Sequence, residues 1–119
     1  MNNVQDPALT AQLQRLEQFG AILAIAHEKL SPSQLALLAQ VAEEPGLTQT
    51  ELAHRVGLTT SSLSRNLDAL GADGRRDTDK PGLGWIESKS NPKDDRQKCA
   101  YLTKEGQRVL SLLLAVLWP

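Results

Sequence analysis

Residues 47–70, reading LTQTELAHRVGLTTSSLSRNLDAL, leave a folding chain little choice. Thr48 followed three residues later by Glu51 is a capping box: the hydroxyl accepts from the Glu51 amide and the carboxylate reaches back to the Thr48 amide, so a helix starts here. Leu52, Ala53 and Val56 give it an apolar stripe, with Ala53 small enough for a second helix to cross closely. Gly57 stands where the chain must turn sharply, a conformation glycine adopts without a steric penalty. Leu58 fills the corner. Thr59 then caps a second helix, which buries Leu63, Leu67 and Leu70 and turns Thr60, Ser61, Ser62, Ser64 and Arg65 outward. Small hydroxyls and one arginine at a helix N-terminus suit a DNA major groove. The segment reads as a helix-turn-helix, the plainer alternative being two packed helices with a solvated polar face.

The residues that follow favour the first reading. A Gly- and Asp-rich connector, GADGRRDTDKPGLG, leads into Trp85-Ile86-Glu87-Ser88-Lys89, and Cys99-Ala100-Tyr101-Leu102 offers a second strand. Between them SNPKDDRQK has the composition of a loop. A hairpin directly after a recognition helix is a wing. Its Lys93, Arg96 and Lys98 would lie beside a duplex, neutralising phosphates or entering the minor groove. Asp94 and Arg96, two apart, can point to the same side, the carboxylate holding backbone or arginine while the guanidinium projects.

The stretch NPKDDRQKCAYLTKEG resembles the wing of the MarR (multiple antibiotic resistance regulator) family, which reads Asp-Pro-x-Asp-Arg-Arg, then, about five residues on, Leu-Thr-x-x-Gly. Asn91, Pro92, Asp94 and Arg96 fall on that pattern, and Leu102, Thr103 and Gly106 close it; the upstream helix-turn-helix matches in register. The resemblance covers residues 31 to 110. It implies a mainly α, winged helix-turn-helix fold with a small β-hairpin wing and N- and C-terminal dimerisation helices. It also implies a homodimeric, sequence-specific double-stranded DNA-binding regulator of transcription, a repressor, whose contacts are Thr59, Thr60, Ser61, Ser62, Ser64, Arg65, Lys93, Asp94, Arg96 and Lys98. Departures exist. Asn91 replaces the usual Asp, Asp95 replaces an arginine, Asn66 stands at a position usually apolar, and the connector Gly71–Gly84 is longer than usual. Its Arg75, Arg76 and Lys80 form either an extra DNA contact or part of a surface loop.

Charge agrees once it is divided along the chain. The net charge is −1, but residues 1–53 carry two basic against six acidic side chains while residues 74–104 carry eight against five. The basic excess falls in the connector and wing, where a duplex would lie. A length of 119 residues with 40% hydrophobic content suits one domain, and 3% aromatic residues leave leucine and alanine to build its core. The single cysteine, Cys99, excludes an internal disulfide framework and reads as a packed strand residue rather than a redox sensor. No nucleophile–base pair, phosphate-cradling glycine loop or metal-ligand cluster supports an enzyme, and no cofactor is implied. MNNVQDPALT lacks the order of a signal peptide, so a cytoplasmic protein is expected.

The flanks speak to assembly. Residues 1–30 form an N-terminal dimerisation helix in which Leu9, Leu13, Leu16, Gly20, Leu23, His27 and Leu30 make a heptad seam, widened by Phe19, Ile22, Ile25 and Ala26. Ser31, Pro32 and Gln34 start the next helix with a cap, and residues 31–102 are the winged helix-turn-helix. Thr103 caps the last helix, residues 103–119, whose VLSLLLAVLW is apolar nearly all round and therefore asks for burial, yet is too short for the roughly 20 apolar residues of a membrane span. A second copy is the simplest cover. Two recognition helices would then read an inverted repeat about 34 Å apart. The effector, if any, is left open. Two rival readings remain: a DNA-binding protein acting in replication or maintenance of a mobile element, and a winged helix used only for protein–protein contact.

Overall fold

The computed structural model describes residues 6–26, 30–72 and 82–118. Its elements are α1 (Pro7–Ala26), α2 (Pro32–Glu43), α3 (Gln49–Val56), α4 (Thr60–Leu70), β1 (Ile86–Asn91), β2 (Asp94–Leu102) and α5 (Lys104–Leu117). Two compact units result: residues 31–108, and residues 1–30 together with 109–119.

The first of these units is built on local signals in the sequence. Ser31 and Gln34 form a capping box at α2, with Pro32 in its first turn, and Thr48 and Glu51 form another at α3. Gly57 is left-handed at φ 70°, and its amide donates to the Ala53 carbonyl to close α3. Thr59 accepts from the Ser62 amide at 3.1 Å and opens α4. The core gathers Leu37, Leu38 and Val41 of α2, Leu52 and Ala53 of α3, and Leu63, Leu67 and Leu70 of α4, closed by Trp85, Ile86, Cys99 and Ala100. Each fully buried leucine contributes about 1.5–3 kcal/mol of transfer free energy.

Several non-local pairings join the helices to the hairpin. The Ala100 amide donates to the Leu47 carbonyl at 3.1 Å, the Gly46 amide donates to the Ala100 carbonyl at 3.0 Å, and Thr48 bridges Cys99. The stub before α3 thus serves as a short third strand on β2. At the far end of α4 the carbonyls of Ala69, Leu70 and Gly71, which helix geometry leaves without partners, accept from the amides of Leu83, Trp85 and Gly84 at 3.1, 2.8 and 3.1 Å. The long connector therefore leaves and returns at one neck, and its length does not disturb the passage from α4 to β1. Arg75, Arg76 and Lys80 lie outside the described residues.

Thr103 fastens the start of α5. Its hydroxyl donates to the Gly84 carbonyl at 2.6 Å and accepts from the Gly106 amide at 3.0 Å, while its own amide donates to the Trp85 carbonyl at 3.0 Å. The helix then passes so near Trp85 that a Cβ on Gly106 would stand 2.1 Å from the Trp85 carbonyl oxygen. Only glycine fits there. This gives the Leu-Thr-x-x-Gly run a physical meaning. Along the first turn Arg108 donates to Glu105, and that hydrogen bond holds the carboxyl below its ordinary pKa.

In the second unit, Asp6 accepts from the Ala8 amide at 3.0 Å as α1 begins. Leu9, Phe19, Ile22 and Leu23 are half-buried, whereas Leu13 and Leu16 are 38% and 63% exposed. His27 of the heptad seam lies outside the described residues. On α5, Val109 and Leu113 are buried, but Leu112, Leu114 and Trp118 are 47%, 46% and 73% exposed. A helix expected to be covered all round is thus covered on one side within its own chain. No described helix is long and apolar enough to cross a membrane.

Candidate nucleic-acid interface

The burial of Leu63, Leu67 and Leu70 on one side of α4 fixes which residues the other side presents. Thr60, Ser61, Ser64 and Arg65 are exposed and Ser62 is half-buried. Thr59 is exposed too, though its hydroxyl is engaged as the helix cap. Arg65 makes no hydrogen bond or ion pair among the described residues, so its guanidinium is available to a ligand. The departure at Asn66 is accommodated locally: the side-chain amide donates to the Ser62 carbonyl at 2.8 Å, one turn back, and a half-buried polar group is satisfied without a core partner.

The wing differs from the sequence expectation in one respect. SNPKDDRQK is not a nine-residue loop; β1 and β2 run almost to the tip, leaving only Pro92 and Lys93 as the turn. Asn91 explains its tightness, since its side-chain oxygen accepts from the Lys93 amide at 3.0 Å in an Asx turn. Polar residues here gave no alternating pattern because both faces of a wing are wet. The composition of a loop and that of a fully solvated hairpin are alike.

The register shows where the wing's functional residues arise. Ser90 pairs with Lys98, but the next residue, Asn91, pairs with Asp94, so Asp95, Arg96 and Gln97 have no partners on β1 and form a bulge. Bulges re-aim side chains. Arg96 lies in this bulge with its side chain 91% exposed, steadied by Asp94, whose Oδ1 accepts from both the Arg96 amide and Nε at 3.1 Å. Asp94 thus holds both backbone and guanidinium, as the two-residue spacing suggested. Lys93 and Lys98 are exposed, whereas Lys89 is occupied by Glu87 at 3.5 Å and lies 5.3 Å from the centre of the Tyr101 ring. Cys99 is buried in β2.

All ten residues singled out from the sequence fall within the unit of residues 31–108, on the outward arc and cap of α4 and on the wing. Sequence reasoning missed the bulge, the third-strand stub and the contribution of α2, whose Gln34 lines a hollow with Ser62, Arg65 and Asn66. The capping box at Ser31 was visible, but nothing local says that this helix start lies against the recognition helix.

Comparisons with known proteins agree with this geometry. Residues 30–75 match the family model for winged helix-turn-helix DNA-binding. No curated protein matches the chain in sequence. Among solved structures it is similar to the transcriptional repressor CouR bound to a 23-mer DNA duplex, at 28% identity and TM-score 0.66 over 92% of this chain and 68% of that one. It is also similar to the PcaV transcriptional regulator from Streptomyces coelicolor in complex with its natural ligand, at 25% identity and TM-score 0.61 over 98% and 76%. Wild-type MarR from E. coli shares the fold at 19% identity and TM-score 0.65 over 92% and 72%.

Proposed function

From a chain with the winged helix-turn-helix fold of MarR-family transcriptional regulators, we propose a homodimeric repressor that binds duplex DNA at an approximate inverted repeat. The observation that carries the reading is the pairing of α4, with an unpartnered Arg65 amid small hydroxyls, with a wing whose bulge projects Arg96. In it, Thr59, Thr60, Ser61, Ser62, Ser64 and Arg65 meet the major groove and its phosphates, and Lys93, Arg96 and Lys98 meet the flanking backbone or minor groove, with Asp94 setting Arg96. The duplex in the CouR structure supports a DNA partner, and the ligand in the PcaV structure supports asking whether a small molecule releases this chain from its site. Exposed Leu13, Leu16, Leu112, Leu114 and Trp118 support a second copy as the cover for the terminal helices.

Selection of bound sequences from a random duplex pool tests the proposal. It should enrich an approximate inverted repeat with half-site centres about 10–10.5 bp apart or a multiple of that, and its genomic occurrences should overlap promoters. An unenriched pool would leave protein–protein contact as the better reading. Enrichment of sites at an origin would point instead to replication or element maintenance.

A further inference from the structure

The two flanks of α4 differ in charge. Towards the wing, the groove is bounded by Ser64 and Asp68 of α4, Glu87 and Ser88 of β1, and Lys98 of β2. Among the described residues Asp68 and Glu87 stand against Lys98, with Glu87 also paired to Lys89 at 3.5 Å, so this flank offers a phosphate no excess of positive charge. The opposite flank holds a hollow lined by Ser62, Arg65 and Asn66, which share one helical face at i, i+3 and i+4, and by Gln34 from α2.

Among the described residues no carboxylate lines this hollow, and its free groups are mostly donors. Gln34 uses Oε1 to accept from the Ser31 amide at 3.2 Å, which leaves both protons of its side-chain amide without a partner. The Arg65 guanidinium is likewise unpartnered, and the Ser62 hydroxyl makes no hydrogen bond among the described residues. Asn66 spends its amide on the Ser62 carbonyl and so stiffens the wall. Donors from two different helices, one of them cationic, converge on a solvent-open space beside the surface proposed to meet DNA.

We propose that this hollow seats one phosphate of the DNA backbone, held by the Gln34 side-chain amide, the Ser62 hydroxyl and the Arg65 guanidinium. Gln34 is then a DNA-contact residue contributed from outside the helix-turn-helix, and Arg65 serves to fix the register of α4 rather than to read a base. The inference rests on the duplex-binding reading above.

Gln34→Glu is the decisive variant. Glutamate at the third position of a Ser-x-x-Glu box is as good a cap as glutamine, and its charge suits a helix N-terminus, so the protein should melt no lower than wild type. The same change places a carboxylate against the phosphate. Binding to the selected duplex should fall by at least about tenfold, as expected for losing a charge-assisted hydrogen bond and adding repulsion. The loss should be equal for every sequence variant of the site. Single methylphosphonate substitutions along the duplex should reveal one phosphate whose neutralisation weakens wild type more than it weakens Gln34→Ala, in which Ser62 and Arg65 remain. Wild-type affinity in Gln34→Glu, a loss that depends on base sequence, or identical methylphosphonate profiles for wild type and Gln34→Ala would overturn the proposal. Failure of the wild-type protein to bind any duplex would overturn the underlying reading as well, which separates the two failures.

Discussion

Arg65 and Arg96 are both exposed arginines, yet their surroundings assign them different work. Arg65 stands free on α4 beside Gln34, whereas Arg96 is tied to Asp94 through Nε at 3.1 Å and Nη2 at 3.5 Å and keeps Nη1 for a ligand. Arg65→Ala should weaken duplex binding by roughly 1.5–3 kcal/mol, the range for a hydrogen bond to a charged group. Seated on a phosphate, it should do so uniformly across site variants; a loss concentrated at one base pair in an equilibrium titration would show base reading instead. Arg96→Ala should make the logarithmic salt dependence shallower by about one unit if it meets a phosphate. If Arg96 enters the minor groove, the loss should follow A·T content beside the core site. A salt and sequence series showing neither effect would reduce the bulge to solvated surface.

At the scale of elements, helices were legible because their signals are local. Ser31, Thr48, Thr59 and Gly57 each act within four residues, and every one does in the fold what its spacing implied. The wing was legible as a hairpin but not in register, since its turn depends on one Asn91 side chain and its bulge on pairing across strands. The bridge from Thr48 to Cys99 joins residues 51 positions apart, and no local pattern announces it. Glycine in the Leu-Thr-x-x-Gly run was visible as a match, while its cause, the Trp85 carbonyl, was not. Gly106→Ala should destabilise the protein by about 1–3 kcal/mol, the usual penalty for overpacking, because the obstacle is backbone rather than a yielding side chain. Denaturant unfolding would check it; an unchanged midpoint would mean α5 can shift away from the wing at no penalty.

For the whole molecule, the apolar terminal helices separate two questions that one substitution could confuse. Leu113 is 1% exposed within the chain itself, so Leu113→Asp buries an unpaired carboxylate at several kcal/mol and should unfold its surroundings whatever the oligomeric state. Leu112, at 47% exposed, needs no such burial in the isolated chain. Leu112→Asp should therefore leave a folded protein that sediments as a monomer and binds a full operator with the affinity of a half-site, having lost the tethered second contact. A variant that stays dimeric would assign this face to some other partner.

As proposed, residues 31–108 present a duplex-binding surface whose affinity comes largely from cations on α4 and the wing. Titration of the wild-type protein with its selected duplex across salt concentrations is the test. The logarithm of the binding constant should fall linearly with the logarithm of salt, by about 0.9 per phosphate contacted, with a slope of several units. A flat salt dependence, or no binding to any duplex at low salt, would contradict it.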